Sequence, residues 1–399
     1  MEGQWGSSIH EQHRQIQEAM KTNPTQGIAK IKEYLGKQNN TPLNIAITGE
    51  TGSGKSTFIN AFRGINNSDE GAAPTGVVET TTEVEPYPHP NLPNVTLWDL
   101  PGVGTPNFPA DEYLKKVGFE RFDFFIIIAA CRFKENDVKL ALEIKRMGRK
   151  FYFLCSKIDI DMYNEERSQR NFDKQKTLKA IRDNCIKGLR GQGIEAPQVF
   201  LVSSFELHQF DFLLLQETLE RELPEHKRNA FVCALPNISK EIMKKKKDAY
   251  QAQIKYHALL SSGVAAVPLP GLSVAVDLAL VAGVVTQYVI GFRLDKESLK
   301  RLSDSSGVPY SELVSVMTSQ LGATTITPQL IQKLLSQIPR ILALIAAEEV
   351  SRFLIVIGTP VSMILSGVST YKILKFFLDL VADDAQRVFE KVVKETTEV

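Results

Sequence analysis

At 399 residues the chain exceeds the roughly 250 to 300 residues at which single cores stop growing, so two domains are expected. Its 47 basic and 46 acidic residues leave a formal charge of +1, which supplies no single-sign field for nonspecific binding to nucleic acid, and no nucleic-acid partner is expected. Cys131, Cys155, Cys185 and Cys233 lack the paired spacing of a metal site or a disulfide framework, which points to a reducing, cytoplasmic compartment.

The opening residues are polar, without the cationic start and apolar core of a secretory signal, so export is not expected. Glu2 stands between Met1 and Gly3, and myristoylation needs glycine directly after the initiator methionine, so no lipid is expected there. Ile9, Ile16 and Met20 mark a first helical stretch. After Pro24, Ile28, Ile31 and Leu35 fall at helical spacing behind Thr25 as N-cap, with Gly36 placed to end the helix.

From residue 43 to about 203, short runs rich in β-branched and aromatic residues alternate with helical patterns, the rhythm of a parallel sheet covered by helices. The runs are residues 43–48, 95–98, 124–129, 151–155 and 199–202. Residues 81–87 alternate and run into Pro86, Pro88, Pro90 and Pro93, which reads as an edge strand, free to lie antiparallel at the margin. Leu215, Leu219 and Leu223 form one helical face before Pro224, and no strand pattern follows Val202. The predicted division is therefore residues 1–40, an α/β domain over 41–225, and a helical segment over 226–399.

Within that last segment, residues 238–257 and 371–393 read as helices. Residues 271–294 are long and apolar enough to cross a bilayer, interrupted by Asp277 only until Arg293, with Pro268 and Pro270 at the entrance. Residues 341–371 are similar but hold Glu348, Glu349 and Arg352. Burial in a helical core is the default for both, with shallow membrane contact and spanning as alternatives. The lysine run 244–247 suits anionic lipid at about 1 kcal/mol per cation, although a solvated helix face is the commoner use of such a run.

Gly49-Glu50-Thr51-Gly52-Ser53-Gly54-Lys55-Ser56 matches the phosphate loop, glycine, four residues, glycine, lysine, serine, and sits between a strand and a helix. Its glycines let backbone N–H groups turn toward phosphates, and the next helix adds its positive end. Lys55 is assigned to the β- and γ-phosphates and Ser56 to Mg2+, with Thr57 completing the binding set. Asp99-Leu100-Pro101-Gly102 follows a strand; Asp99 is placed to reach the metal and the Gly102 N–H to reach γ-phosphate. In Ser156-Lys157-Ile158-Asp159 the aspartate can accept both N–H groups on guanine's Watson–Crick edge, which adenine lacks. Ser156 keeps a hydroxyl where Asn or Thr is usual, and Asp161 is a neighbouring acid. Ser203 and Ser204 end the last strand, where a small-residue loop holds the base, here without the lysine often found in it. All four elements stand at C-terminal ends of strands, where an open α/β sheet binds ligand. The combination predicts a P-loop GTPase domain taking GTP and GDP with Mg2+; Asp159 argues against ATP.

The first switch is expected between the phosphate-loop helix and the edge strand, and residues 71–82 occupy that place. Thr81 is the expected metal ligand, with Thr80 next, and Lys55 and Thr81 are counted as catalytic. Glu79 is the nearest acid able to orient water, its alternative being a solvated loop carboxylate. Val103 stands where small GTPases place a water-orienting glutamine, and Thr51 where those that accept an inserted arginine have glycine. Slow intrinsic turnover follows, so hydrolysis must be completed by another element, either a switch residue ordered upon assembly or the second molecule of a GTP-bound dimer; the rival reading is a nonhydrolysing, nucleotide-gated regulator or scaffold.

These motifs, with Trp98-Asp99-Leu100-Pro101-Gly102, Asn107-Phe108, Phe124-Phe125-Ile126-Ile127-Ile128 and Leu223-Pro224-Glu225-His226-Lys227-Arg228, resemble the interferon-inducible immunity-related GTPases, in detail over residues 41–237. The resemblance implies a dynamin-like GTPase of cell-autonomous immunity that assembles as a homo-oligomer, or a hetero-oligomer with related GTPases. It also implies a cytoplasmic protein in peripheral contact with an intracellular membrane surface, including vacuoles that hold pathogens. It implies further that the helices on both sides of the GTPase domain join as one helical module, and that hydrolysis is completed across a GTP-bound dimer. Ser156 and Glu2 are departures, since the family usually has Thr at the first position and often a myristoylation signal at the start.

Overall fold

The computed structural model describes residues 15–16, 18–19, 24–76, 83–101, 113–130, 133–265, 272–337 and 367–397. The chain divides into two compact units, one of residues 41–238 and one of the segments on either side, to Asn40 and from Ser239.

The first unit is built on six strands, β1 (Leu43–Thr48), β2 (Glu85–His89), β3 (Leu92–Asp99), β4 (Phe124–Ala129), β5 (Lys150–Cys155) and β6 (Val199–Leu201). Their order is β2-β3-β1-β4-β5-β6, parallel except for β2, which runs antiparallel to β3. The edge strand begins later than the alternation suggests, at Glu85, and includes Pro86 and Pro88. Two prolines at the margin remove donors from the strand and discourage pairing with a further strand.

Period-two alternation distributes the side chains of the sheet between two helical layers. Ile45, Leu97 and Ile126 share a cluster with Phe58, Phe62, Phe212, Leu215, Leu219 and Phe231. Those residues come from α2 (Lys55–Arg63), α7 (Phe212–Glu222) and α8 (Glu225–Ala234). Ala46, Phe125, Ile127 and Phe153 instead pack with residues of α4 (Glu135–Arg146), α5 (Ile158–Ser168) and α6 (Lys174–Gly191). A short α3 (Tyr113–Val117) adds Val117 to that second layer.

The expected domain limit at residue 225 is corrected to 238. Helix α8 is part of the sheet's own core: Phe231 is fully buried, its ring 5.9 Å from that of Phe62, and Lys227 forms an ion pair with Asp123 at the start of β4. Pro224 turns the chain without ending the domain.

The second unit is helical: α1 (Pro24–Asn40), α9 (Lys240–Ala265), α10 (Leu272–Gly291), α11 (Lys296–Ser306), α12 (Tyr310–Ser315), α13 (Pro328–Ser336) and α14 (Gly367–Thr397). Helix α1 runs through Gly36, contrary to the expected stop. The roughly 1 kcal/mol that an interior glycine costs is outweighed by burying Ile31 and Leu35 against Tyr256 and Leu260 of α9. Three of the four lysines at 244–247 have partners inside this unit. Lys245 pairs with Glu241 at 3.3 Å, Lys247 with Asp379 at 2.7 Å, and the buried Lys246 donates to Gly291 O at 2.8 Å. Among the described residues one helix, around Leu278, is long and apolar enough to cross a membrane by length and composition alone, and 56% of its apolar window is buried. The second apolar stretch, 341–371, lies almost wholly outside the described residues.

Candidate nucleotide site

The phosphate loop leaves β1 and enters α2 through glycines held in left-handed or mirror conformations. Gly49 has φ 137°, and a Cβ there would lie 2.0 Å from Ile128 O, so only glycine fits against strand β4. Gly54, with φ 91°, caps α2 with no side chain in the way. The following helix therefore turns its N-terminal end toward the loop, the arrangement that favours phosphate. Lys55 and Ser56 open that helix and are buried, as is Ser53, whose Oγ has no hydrogen-bond partner. Lys55 Nζ donates to Glu50 O at 3.2 Å. Thr51 and Gly52 are exposed at the loop's tip, and Thr57, the third residue of the helix, is half-buried.

Asp99 ends β3 beside this helix. Its carboxylate is 1% exposed and Oδ2 accepts from Ser56 Oγ at 2.7 Å. Two oxygens at that spacing, one anionic, suit a hard divalent cation, which at about 2.0–2.1 Å from each ligand tolerates few protein donors and keeps phosphate and water oxygens. Among the described residues no group of three or more His, Cys, Asp and Glu is placed to hold a metal ion.

The loop that follows β5, the candidate for reading the base, is tied directly to the phosphate loop. Ser156 Oγ donates to Ser53 O at 2.5 Å, and Lys157 Nζ donates to Gly52 O at 2.8 Å. Lys157 has φ 61° and stands directly before α5. Asp159 follows in the first turn of α5, and its Oδ1 is buried with no hydrogen-bond partner, an acceptor that a ligand's N–H groups would satisfy. The carboxyl of Asp161 is pushed above the ordinary range, first by burial and then by the like charges of Asp159 and Glu165. Two residues past the end of the adjacent strand β6, Ser203 Oγ accepts the N–H groups of Phe205 at 3.2 Å and Glu206 at 3.1 Å, and Ser204 is half-buried next to it.

Sequence patterns pass over three supports. Asn60, in the middle of α2, accepts from Ala73 N at 2.7 Å and donates to Ala73 O at 2.9 Å, fastening the start of the switch segment. Arg63 donates to Gly71 O at 3.0 Å in the same loop and to Pro88 O at 3.1 Å. Lys134 forms an ion pair with Glu50 of the phosphate loop, beside the buried Asp137. Asp137 caps α4 by accepting from Lys134 N at 3.0 Å, and burial raises its carboxyl to about 6. The one signal in the sequence for any of these is weak, a polar Asn60 amid the apolar positions of a short helix. Of the expected site residues, Gly102, Thr81 and Glu79 lie outside the described residues, as do Thr80 and Val103.

Comparison with known proteins decides the family. The family model described as "Interferon-inducible GTPase (IIGP)" matches residues 9–392. The chain belongs to the interferon-inducible GTPase family. It is similar to "Interferon-inducible GTPase 5" of Rattus norvegicus, 42% identical over 372 residues that cover 93% of this chain and 80% of the relative. With "Interferon-gamma-inducible GTPase 10" of Mus musculus it shares 39% identity over 92% of this chain and 85% of the relative. With "Interferon-inducible GTPase 1" of the same organism it shares 37% over 91% and 85%. Family membership extends across both units, and so includes the helices flanking the sheet as well as the nucleotide site.

Proposed function

We propose that this GTPase binds GTP with Mg2+, hydrolyses it slowly as a single molecule, and turns over faster when GTP-loaded copies assemble with one another or with related GTPases on an intracellular membrane. The names of the relatives supply GTP as substrate and induction by interferon as setting, and that of "Immunity-related GTPase family M protein 1" of Mus musculus, 32% identical over 290 residues, adds immunity. One observation carries the nucleotide reading: Ser156 and Lys157 are hydrogen-bonded to the carbonyls of Ser53 and Gly52, so the group that would read the base and the loop that would wrap the phosphates form one rigid cradle.

In this reading the backbone N–H groups from Gly52 to Ser56 take the phosphates, Lys55 leaves Glu50 O for the β- and γ-oxygens, and Ser56 with Asp99 holds the metal. The bound metal would neutralise charge developing on the transferred phosphoryl group. Thr81 is proposed as its further ligand, Gly102 as donor to γ-phosphate and Glu79 as the acid that orients water. Asp159 accepts from guanine and confers the preference over adenine. A cytoplasmic protein in peripheral contact with endomembrane or pathogen vacuole is the cellular setting proposed.

Competition binding with GTP, ATP and xanthosine triphosphate tests the assignment. Lys55→Ala is expected to abolish triphosphate binding. Asp159→Asn is expected to lower guanine affinity about 10- to 100-fold, from the ~1.5–3 kcal/mol of a charge-assisted hydrogen bond, and to shift preference to xanthine. Unchanged GTP affinity in both variants would overturn the reading.

A further inference from the structure

Phe205 is 73% exposed, more than any other large apolar side chain among the described residues. It follows Ser203 and Ser204 in the place where a base-holding loop often carries lysine. Burying a phenylalanine side chain is worth ~1.5–3 kcal/mol, so packing does not account for a ring left in water. The backbone there is nevertheless held in place, since Ser203 is fully buried and its Oγ accepts the Phe205 N–H.

Strand pairing fixes where the ring emerges. Strands β5 and β6 are parallel neighbours with Cys155 opposite Leu201. Beyond the ladder, Val202 N donates to Cys155 O at 2.8 Å and Ile158 N donates to Val202 O at 3.3 Å. The last contact joins the residue before Asp159 to the residue before Ser203, so the loops carrying Asp159 and Phe205 leave the sheet side by side. On the phosphate side, Lys157 is drawn across to Gly52 O. The resulting corner holds a buried, unpartnered carboxylate oxygen next to a loop with a water-exposed aromatic ring, the two complementary needs of a planar heterocycle rimmed with N–H groups.

We infer that Phe205 stacks on the face of the base whose edge Asp159 reads, making it a binding residue for the guanine. This deepens the nucleotide reading proposed above and rests on it. A phenyl ring offers no hydrogen bond, so it adds affinity for any purine and leaves discrimination to Asp159.

The full-length chain and its Phe205→Ala, Phe205→Leu and Phe205→Trp variants, titrated calorimetrically with GDP and IDP in the presence of Mg2+, test the inference. Stacking predicts that the Ala and Leu substitutions weaken both nucleotides about tenfold, by the same factor, while the Trp substitution stays within about threefold of the original. The indole emission that Phe205→Trp adds over the unsubstituted chain should be quenched by GDP and unaffected by inorganic triphosphate. If the unsubstituted chain retains no GDP, the nucleotide reading itself falls and this inference with it. If it binds GDP and Phe205→Ala binds within twofold of it, the stacking inference alone is wrong. Unchanged affinity combined with turnover that no longer depends on protein concentration would assign the ring to a protein contact instead, and would also overturn it.

Discussion

Buried carboxylate oxygens are the most informative groups around the phosphate loop, and Asp159 and Asp137 differ in how far the sequence reveals them. Asp159 has a buried oxygen without a hydrogen-bond donor, and it was legible as a candidate because the motif around it has fixed spacing at a strand end. Asp137 was not legible: an aspartate in the first turn of a helix is an ordinary cap, and only the fold places it beside Glu50 and Lys134. Its carboxyl rises to about 6 from 3.8, chiefly through desolvation, with Glu50 adding to the rise and Lys134 and Lys55 opposing it. The sign follows from linkage. A carboxyl whose folded value exceeds its unfolded one destabilises the folded state when ionised, so this contribution improves as pH falls from about 6 toward about 4. Two units correspond to at most about 3 kcal/mol. Asp137→Asn keeps the capping acceptor and removes the charge, so at about pH 7.5 it should raise the melting temperature by several degrees. That gain should shrink as pH is lowered through the same window. Melting curves across pH check it; a gain independent of pH would show that ionisation of Asp137 is not the cause.

Elements were read best where one periodicity governs them. Strands β1 and β4 fall where their apolar runs place them, because buried parallel strands are continuous apolar segments. The edge strand was displaced, because prolines that look like the end of a strand are tolerated inside one at a margin. Gly36 and Pro224 misled in the same manner: local breakers were overruled by burial of Ile31 and Leu35, and by packing of Phe231. Two substitutions test the elements that carry the site. Gly49→Ala places a Cβ 2.0 Å from a backbone carbonyl of β4, which cannot move aside without disturbing the sheet, so both stability and GTP retention should fall sharply. Asn60→Ala strips partners from both backbone groups of the fully buried Ala73. At ~1–3 kcal/mol for each orphaned group, it should cost about 2–6 kcal/mol in denaturant unfolding and should weaken GTP more than GDP, since the candidate switch segment begins there. Equal losses for the two nucleotides would detach Asn60 from the switch.

At the scale of the molecule, a nucleotide-binding unit is inserted between two segments that cluster together as one helical unit, and the family relationship spans both units. The lysine run that suggested a lipid-facing stripe is largely engaged within the helical unit, which sequence spacing does not reveal because the partners, Asp379 and Gly291 O, lie far along the chain. The proposal of assembly rests on Val103: the chain lacks the usual water-orienting glutamine at that place, and in the proposed function a second molecule makes up for it. GTP hydrolysis measured per molecule across a range of protein concentrations, with Mg2+ and with Lys55→Ala as control, tests that claim most directly. The account predicts turnover per molecule that climbs as concentration increases and vanishes in the Lys55 variant; a rate per molecule that stays flat and near background at every concentration would contradict it.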